Sequence, residues 1–188
     1  MTIDELTVSY AVKINGGSGV LVGALSQEYT YVFTAKHVLG TTNQVTRDGI
    51  PLRILNDPFL HQTLDCAILQ VEFQPNVTQR HWIGELSAAA AVSFVGYPNT
   101  NMGTAAPYKV YTGQLNSVNS NLIVCNLDNG PQQEAIAGMS GGGIYHIYNG
   151  YPYLLGIEYR MDDEDENHRW GRIRCISLKP YESILTAH

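Results

Sequence analysis

Gly138-Met139-Ser140-Gly141-Gly142 sets a serine among glycines, and an apolar, strand-like run from Gly143 to Tyr148 follows directly. Glycine on both sides lets the backbone turn sharply and lets another group approach it closely. In such a turn the N–H groups of Gly138 and Ser140 can converge on one point, where they would stabilise a developing oxyanion. A serine hydroxyl is a weak nucleophile until a base takes its proton, so the reading depends on finding that base. Upstream, Thr34-Ala35-Lys36-His37 closes the run YVF, and Asp65 opens the run DCAILQV. Histidine, aspartate and serine in that chain order form one of the recurring orders of a Ser-His-Asp triad.

Four separated pieces carry a family resemblance: GSGVLVG (17–23) with YVFTAKHVL (31–39), TLDCAIL (63–69), VSFVGYP (92–98) and GMSGG (138–142). In this order they resemble the chymotrypsin-fold, trypsin-like serine proteases, and most of all the small bacterial HtrA and V8-like members. The resemblance implies an all-β chain of two antiparallel six-stranded barrels with a short C-terminal helix and the site in the cleft between barrels. The expected layout is a single peptidase domain over residues 1–188. Its N-terminal barrel spans about 5–73, the linker about 74–90, and the C-terminal barrel and helix about 91–186. His37 would be the base, Asp65 its orienting partner and Ser140 the nucleophile, with Gly138 and Ser140 as the oxyanion hole. The same resemblance places a substrate pocket around Glu134, with Glu158, Tyr159 and Arg160 on one wall. A buried Glu134 would select Lys or Arg; Arg160 could cancel it by pairing, or select acidic residues itself. Both could equally face solvent.

Composition agrees with strands and turns. The chain has 188 residues, 18 of them glycine and 12 tyrosine, and charged residues make up only 15%, against about 25% in an average domain. A net charge of −6 argues against nucleic acid or an anionic membrane as partner. No apolar run approaches the ~18 residues of a membrane span. The first ten residues, MTIDELTVSY, carry two acids and no basic flank, so no secretory leader is legible. Three cysteines, Cys66, Cys125 and Cys175, lie in apolar runs and read as buried thiols. Val38 and Leu39 follow the histidine where secreted relatives place a cysteine. A cytoplasmic, bacterial protein is therefore expected.

Along the chain, Thr7 to Ile14 alternates as a strand, and Asp48-Gly49 and Asn149-Gly150 each predict a hairpin. A short helix over 86–91 and a terminal helix over 180–186 complete the expectation. GMSGG also fits the nucleophile elbow G-x-S-x-G, but that fold needs its acid and histidine after the serine. Only 48 residues follow Ser140, and they read as strands. The other histidines, His61, His81, His146, His168 and His188, lack a comparable frame, and an idle serine in a glycine turn is the bland alternative. No metal motif is present, and no cofactor is expected. The acidic run 162–167 lacks the glycine and spacing of a calcium loop and reads as solvated. The expected partners are a protein or peptide substrate and, in a second reading, a regulatory or sensor protein. In that reading the chain is a latent or non-catalytic effector module of a larger bacterial defence or signalling system.

Overall fold

A helix opens the chain where the alternation of Thr7 to Ile14 predicts a strand. In the computed structural model α1 spans Ile3–Ser9. The cause is a capping box: Glu5 N–H donates to Thr2 Oγ1 at 3.0 Å, and Thr2 N–H donates back to Glu5 Oε2 at 3.3 Å. Asp4 and Glu5 in the first turn also suit the helix dipole. The structure describes residues 1–78, 80–82, 84–87, 89–162 and 171–181.

Seven strands form the first sheet: β1 (Ala11–Ile14), β2 (Gly17–Gly23), β3 (Tyr29–Thr34), β4 (Val45–Arg47), β5 (Ile50–Leu52), β6 (Phe59–Leu60) and β7 (Ala67–Glu72). Their order is β5-β4-β1-β2-β3-β7-β6, antiparallel throughout. Asp48 and Gly49 both take positive φ, 51° and 75°, the geometry that matches strand twist in a two-residue hairpin. This sheet does not close as a six-stranded barrel. β5 has only three residues, one of them Pro51, and a proline offers no N–H to a ladder. Beyond it a single bridge, Ile54 to Val71, reaches β7. The first half is thus an open half-barrel filled by Val12, Ile14, Leu21, Val32, Leu69 and Val71.

The second sheet begins with β8 (Arg80–His81), which adds in parallel to the edge of a later strand. It continues with β9 (Ala91–Gly96), β10 (Lys109–Asn119), β11 (Leu122–Leu127), β12 (Gly143–Tyr148), β13 (Tyr151–Met161) and β14 (Arg172–Ser177). The ring β12-β9-β10-β11-β14-β13 returns to β12, so these six strands form a closed barrel. Register shifts near Leu115, Ile144 and Glu158 bend three of them, as closure requires. Asn149 and Gly150 turn at φ 49° and 74°, again the expected hairpin. Among the described residues of 86–91 no helix is present: 86 and 87 are irregular and Ala91 already belongs to β9.

A short helix, α2 (Gln133–Ile136), precedes the glycine-rich loop. A shared cluster including Val20, Phe33, Val95, Tyr145, Leu154 and Tyr181 packs the two sheets together and sets the cleft between them. Lys179–Tyr181 is a single 3-10 turn, and the rest of the expected terminal helix lies outside the described residues. No described helix is long and apolar enough to cross a membrane.

Candidate active site

β3 and β7 are antiparallel neighbours with Thr34 opposite Ala67. The residues just past the end of β3 and just before the start of β7 therefore meet. The 3-10 turn Lys36–Val38 carries His37 there, and Asp65 arrives from the other side. His37 Nδ1 lies 2.6 Å from Asp65 Oδ2, and the His37 backbone N–H donates to Asp65 Oδ1 at 3.0 Å. This pairing fixes the ring, with Nδ1 committed to the carboxylate. The hydrogen bond to Asp65 raises the His37 pKa above the ordinary value, against the opposing effect of burial. Burial works to raise Asp65, but the hydrogen bonds from the His37 ring and backbone outweigh it and hold its carboxyl low. His61 serves the loop instead: its Nδ1 accepts from Thr63 N–H and Leu64 N–H, and its carbonyl accepts from Lys36 Nζ at 3.0 Å.

Ser140 stands across the cleft between α2 and β12. It shares a cavity of ≈ 300 Å³ with His37, Gly16, Gly17, Val38 and Gly138. Its hydroxyl, and the N–H groups of Gly138 and Ser140, make no hydrogen bond among the described residues. The carbonyls around them are all committed. Ser140 O accepts from Ser18 N–H at 2.8 Å, Gly138 O from Ser18 Oγ at 2.8 Å, and Met139 O from Gly142 N–H at 2.9 Å. Gly138 takes φ +97°, and a Cβ there would stand 2.5 Å from Asn99 Oδ1. Gly141 takes φ +89°, and a Cβ there would fall onto Ser18 O and Thr34 Oγ1. Only glycine fits either position. Between them Met139 is fully buried in the closed barrel's core with Phe94, Ile136 and Ile144.

Ser18 and Thr34 are the site residues that the sequence reading passes over. Ser18 is fully buried, donates to Gly138 O, and accepts from Tyr97 N–H at 2.8 Å. Thr34 Oγ1 donates to Ser18 O at 2.7 Å. The available signal is a polar residue at a buried strand position, GSG in β2. Such a residue needs partners, and here they lie on the other sheet.

The four residues expected around a substrate pocket differ in burial and partners. Glu134 stands exposed in the first turn of α2, so the burial that would make it a charge-selecting floor is absent. Arg160 is 49% exposed, with Nη2 3.6 Å from Asp162 Oδ1. Tyr159 is partly buried, and Glu158 turns inward, 2% exposed. Asp162 pairs with Arg174 at 2.5 Å, and the remainder of the acidic run lies outside the described residues. No group of three or more metal-ligating side chains exists among the described residues. All three cysteines are buried and unpaired. A larger cavity of ≈ 370 Å³, lined by His81, Trp82 and Leu155 among others, contains none of the residues named for the site.

No family model matches the chain. No curated protein sequence matches it either. Among solved structures it is similar to the Rv3671c protease of M. tuberculosis in its active form, at 17% identity and a TM-score of 0.73, covering 97% of this chain and 82% of that one. The inactive form of the same protease gives 16% identity and a TM-score of 0.70, covering 98% and 91%. Kallikrein-related peptidase 10 in complex with Zn2+ gives 15% identity and a TM-score of 0.70, covering 95% and 94%. The chain has the trypsin-like, chymotrypsin fold of these serine proteases.

Proposed function

We propose that the chain is a serine endopeptidase that works through Ser140, His37 and Asp65. The observation that carries this reading is the shared cavity: Ser140 and His37 line it together, and Asp65 holds the imidazole through Nδ1. Ser140 Oγ attacks the peptide carbonyl carbon while His37 Nε2 takes the hydroxyl proton. The leaving amine then receives that proton, and water repeats the sequence to release the acid. Asp65 holds the ring in the right tautomer and stabilises the imidazolium. Gly138 N–H and Ser140 N–H, both without a partner, would receive the oxyanion. The substrate is a protein or peptide, and no cofactor takes part. Glu134, Tyr159 and Arg160 are proposed to face the residue before the cut. Arg160, the exposed cation beside the cleft strand, would favour acidic side chains there. Three unpaired cysteines support a reducing, cytoplasmic setting.

Labelling with a fluorophosphonate and hydrolysis of a peptide library test the reading together. Ser140→Ala should lose both, by at least about 10³-fold, with unfolding temperature nearly unchanged. Wild-type activity in that variant would sink the proposal. The second reading, a latent module switched on by a partner, draws on the missing hydrogen bond between Ser140 and His37. It draws also on the Rv3671c protease, which occurs in active and inactive forms. Labelling that appears only with cell lysate would favour it.

A further inference from the structure

Tyr181 belongs to the second half of the chain, yet its side chain serves the first. It ends the 3-10 turn Lys179–Tyr181 and is 3% exposed. That turn is tied to the closed barrel: Leu178 N–H donates to Leu155 O at 3.0 Å, and Tyr181 N–H donates to Leu178 O at 2.8 Å. From there the side chain reaches the β6–β7 hairpin that carries Asp65. Tyr181 Oη lies 2.9 Å from Sγ of Cys66, the residue after Asp65. Its ring meets Phe59 edge-on at 6.4 Å between centroids, and His61 at 6.1 Å. A further contact, with Phe33 at 5.3 Å, falls on β3, the strand that leads to His37. Burial raises both the Cys66 thiol and the Tyr181 phenol, so both keep their protons and either can donate to the other.

The hairpin has little else to hold it at that height. β6 is two residues long, Phe59 and Leu60, and both are exposed. Beyond β6 the chain is bonded mainly to itself. His61 N–H donates to Cys66 O at 3.1 Å, Cys66 N–H donates to Leu64 O at 2.9 Å, and His61 Nδ1 accepts from Thr63 and Leu64. Such internal bonds fix the hairpin's shape, whereas its tilt against β3 is set by contacts from outside it. Lys36 Nζ supplies one at His61 O, and Tyr181 supplies the buried ones. We propose that Tyr181 is a positioning residue for Asp65: through Cys66, Phe59, His61 and Phe33 it sets how the hairpin presents the carboxylate to His37. The inference rests on His37 acting as the base with Asp65 as its orienting partner. A bond as short as the 2.6 Å from His37 Nδ1 to Asp65 Oδ2 weakens steeply when its partners tilt. A displacement of about 1 Å at a reacting centre can cost on the order of 10²-fold in rate.

The test is proton NMR of the His37 ring against pH, alongside fluorophosphonate labelling, in wild type, Tyr181→Leu, Tyr181→Phe and Cys66→Ala. The bond to Asp65 holds the His37 titration above its ordinary value, so a loosened Asp65 should let it fall toward about 6.5. Tyr181→Leu should show that fall and label roughly 10²-fold more slowly. Tyr181→Phe keeps the ring and should recover most of the wild-type titration, with labelling slowed only about two- to ten-fold. Cys66→Ala should match it. Val71→Ala, a core truncation at the far end of β7, should lower the unfolding temperature and leave the His37 titration in place. A folded Tyr181→Leu with the wild-type titration overturns the inference, and so does an equal fall in Val71→Ala. Should Tyr181→Leu not fold, wild-type titration and labelling in both Tyr181→Phe and Cys66→Ala overturn it. A fall in Tyr181→Leu, in a protein whose wild type never labels, leaves Tyr181 as the support of Asp65 and instead sinks the peptidase reading.

Discussion

On the half-barrel side of the cleft, His37 and Asp65 are 50% and 29% exposed and hold one another through two hydrogen bonds. On the closed-barrel side, the Ser140 loop is tied through its peptide groups to β2, β13 and α2, with Met139 sunk into the core. Side-chain pairing positions one half of the site, and burial positions the other. The first can be altered without disturbing the fold; the second cannot.

Gly141→Ala attacks the buried half directly. A methyl at φ +89° would be driven into Ser18 O and Thr34 Oγ1, atoms of the opposing sheet. We expect a cost of about 3–5 kcal/mol, complete loss of Ser140 labelling and a clear fall in unfolding temperature. Full labelling would mean the loop is held less tightly than its contacts imply.

Asp65→Asn addresses the exposed half. It should slow labelling by on the order of 10⁴-fold, because the ring would sit in the wrong tautomer. The unfolding temperature should change little, since the pair is half in water. The sign of the pH effect follows from the raised His37 pKa. In wild type the neutral base appears at higher pH than in an unpaired imidazole, so labelling should rise with pH on the alkaline side of the ordinary imidazole value. In Asp65→Asn the residual rise should move to lower pH. A rise that stays in place would show that Asp65 does not act on His37.

Ser18→Ala sharpens the contrast, because it strips one hydroxyl from the junction. Gly138 O and Tyr97 N–H would both lose a partner in a buried setting. The expected loss is about 1–3 kcal/mol, with labelling slowed roughly ten- to hundred-fold as the loop drifts. A variant equal to wild type in both measures would remove Ser18 from the site.

The strands were readable because their causes are local. Asp48-Gly49 and Asn149-Gly150 set their hairpins through the two dihedrals each pair can adopt. His37, Asp65 and Ser140 stand out as candidates through the runs flanking them, and the pairing of His37 with Asp65 follows from β3 lying beside β7. Thr2 and Glu5 form the capping box that starts a helix there, a signal the alternation of Thr7 to Ile14 does not carry. Barrel closure was not legible, because it depends on how far three residues at β5 can reach. The part played by Ser18 was hidden for a related reason: it depends on neighbours contributed by the other half of the molecule.

Ser18 Oγ and Gly138 O are 120 residues apart in the chain. A contact of such sequence separation forms late, after the loop entropy between its ends has been overcome. During synthesis the first hundred residues can order β1 to β7, with His37 beside Asp65, while the Ser140 segment does not yet exist. On the proposed reading, nascent chain therefore carries half a site and no nucleophile. On that reading reactivity arrives only when both sheets have closed on each other, and the serine becomes competent in the same step that completes the fold.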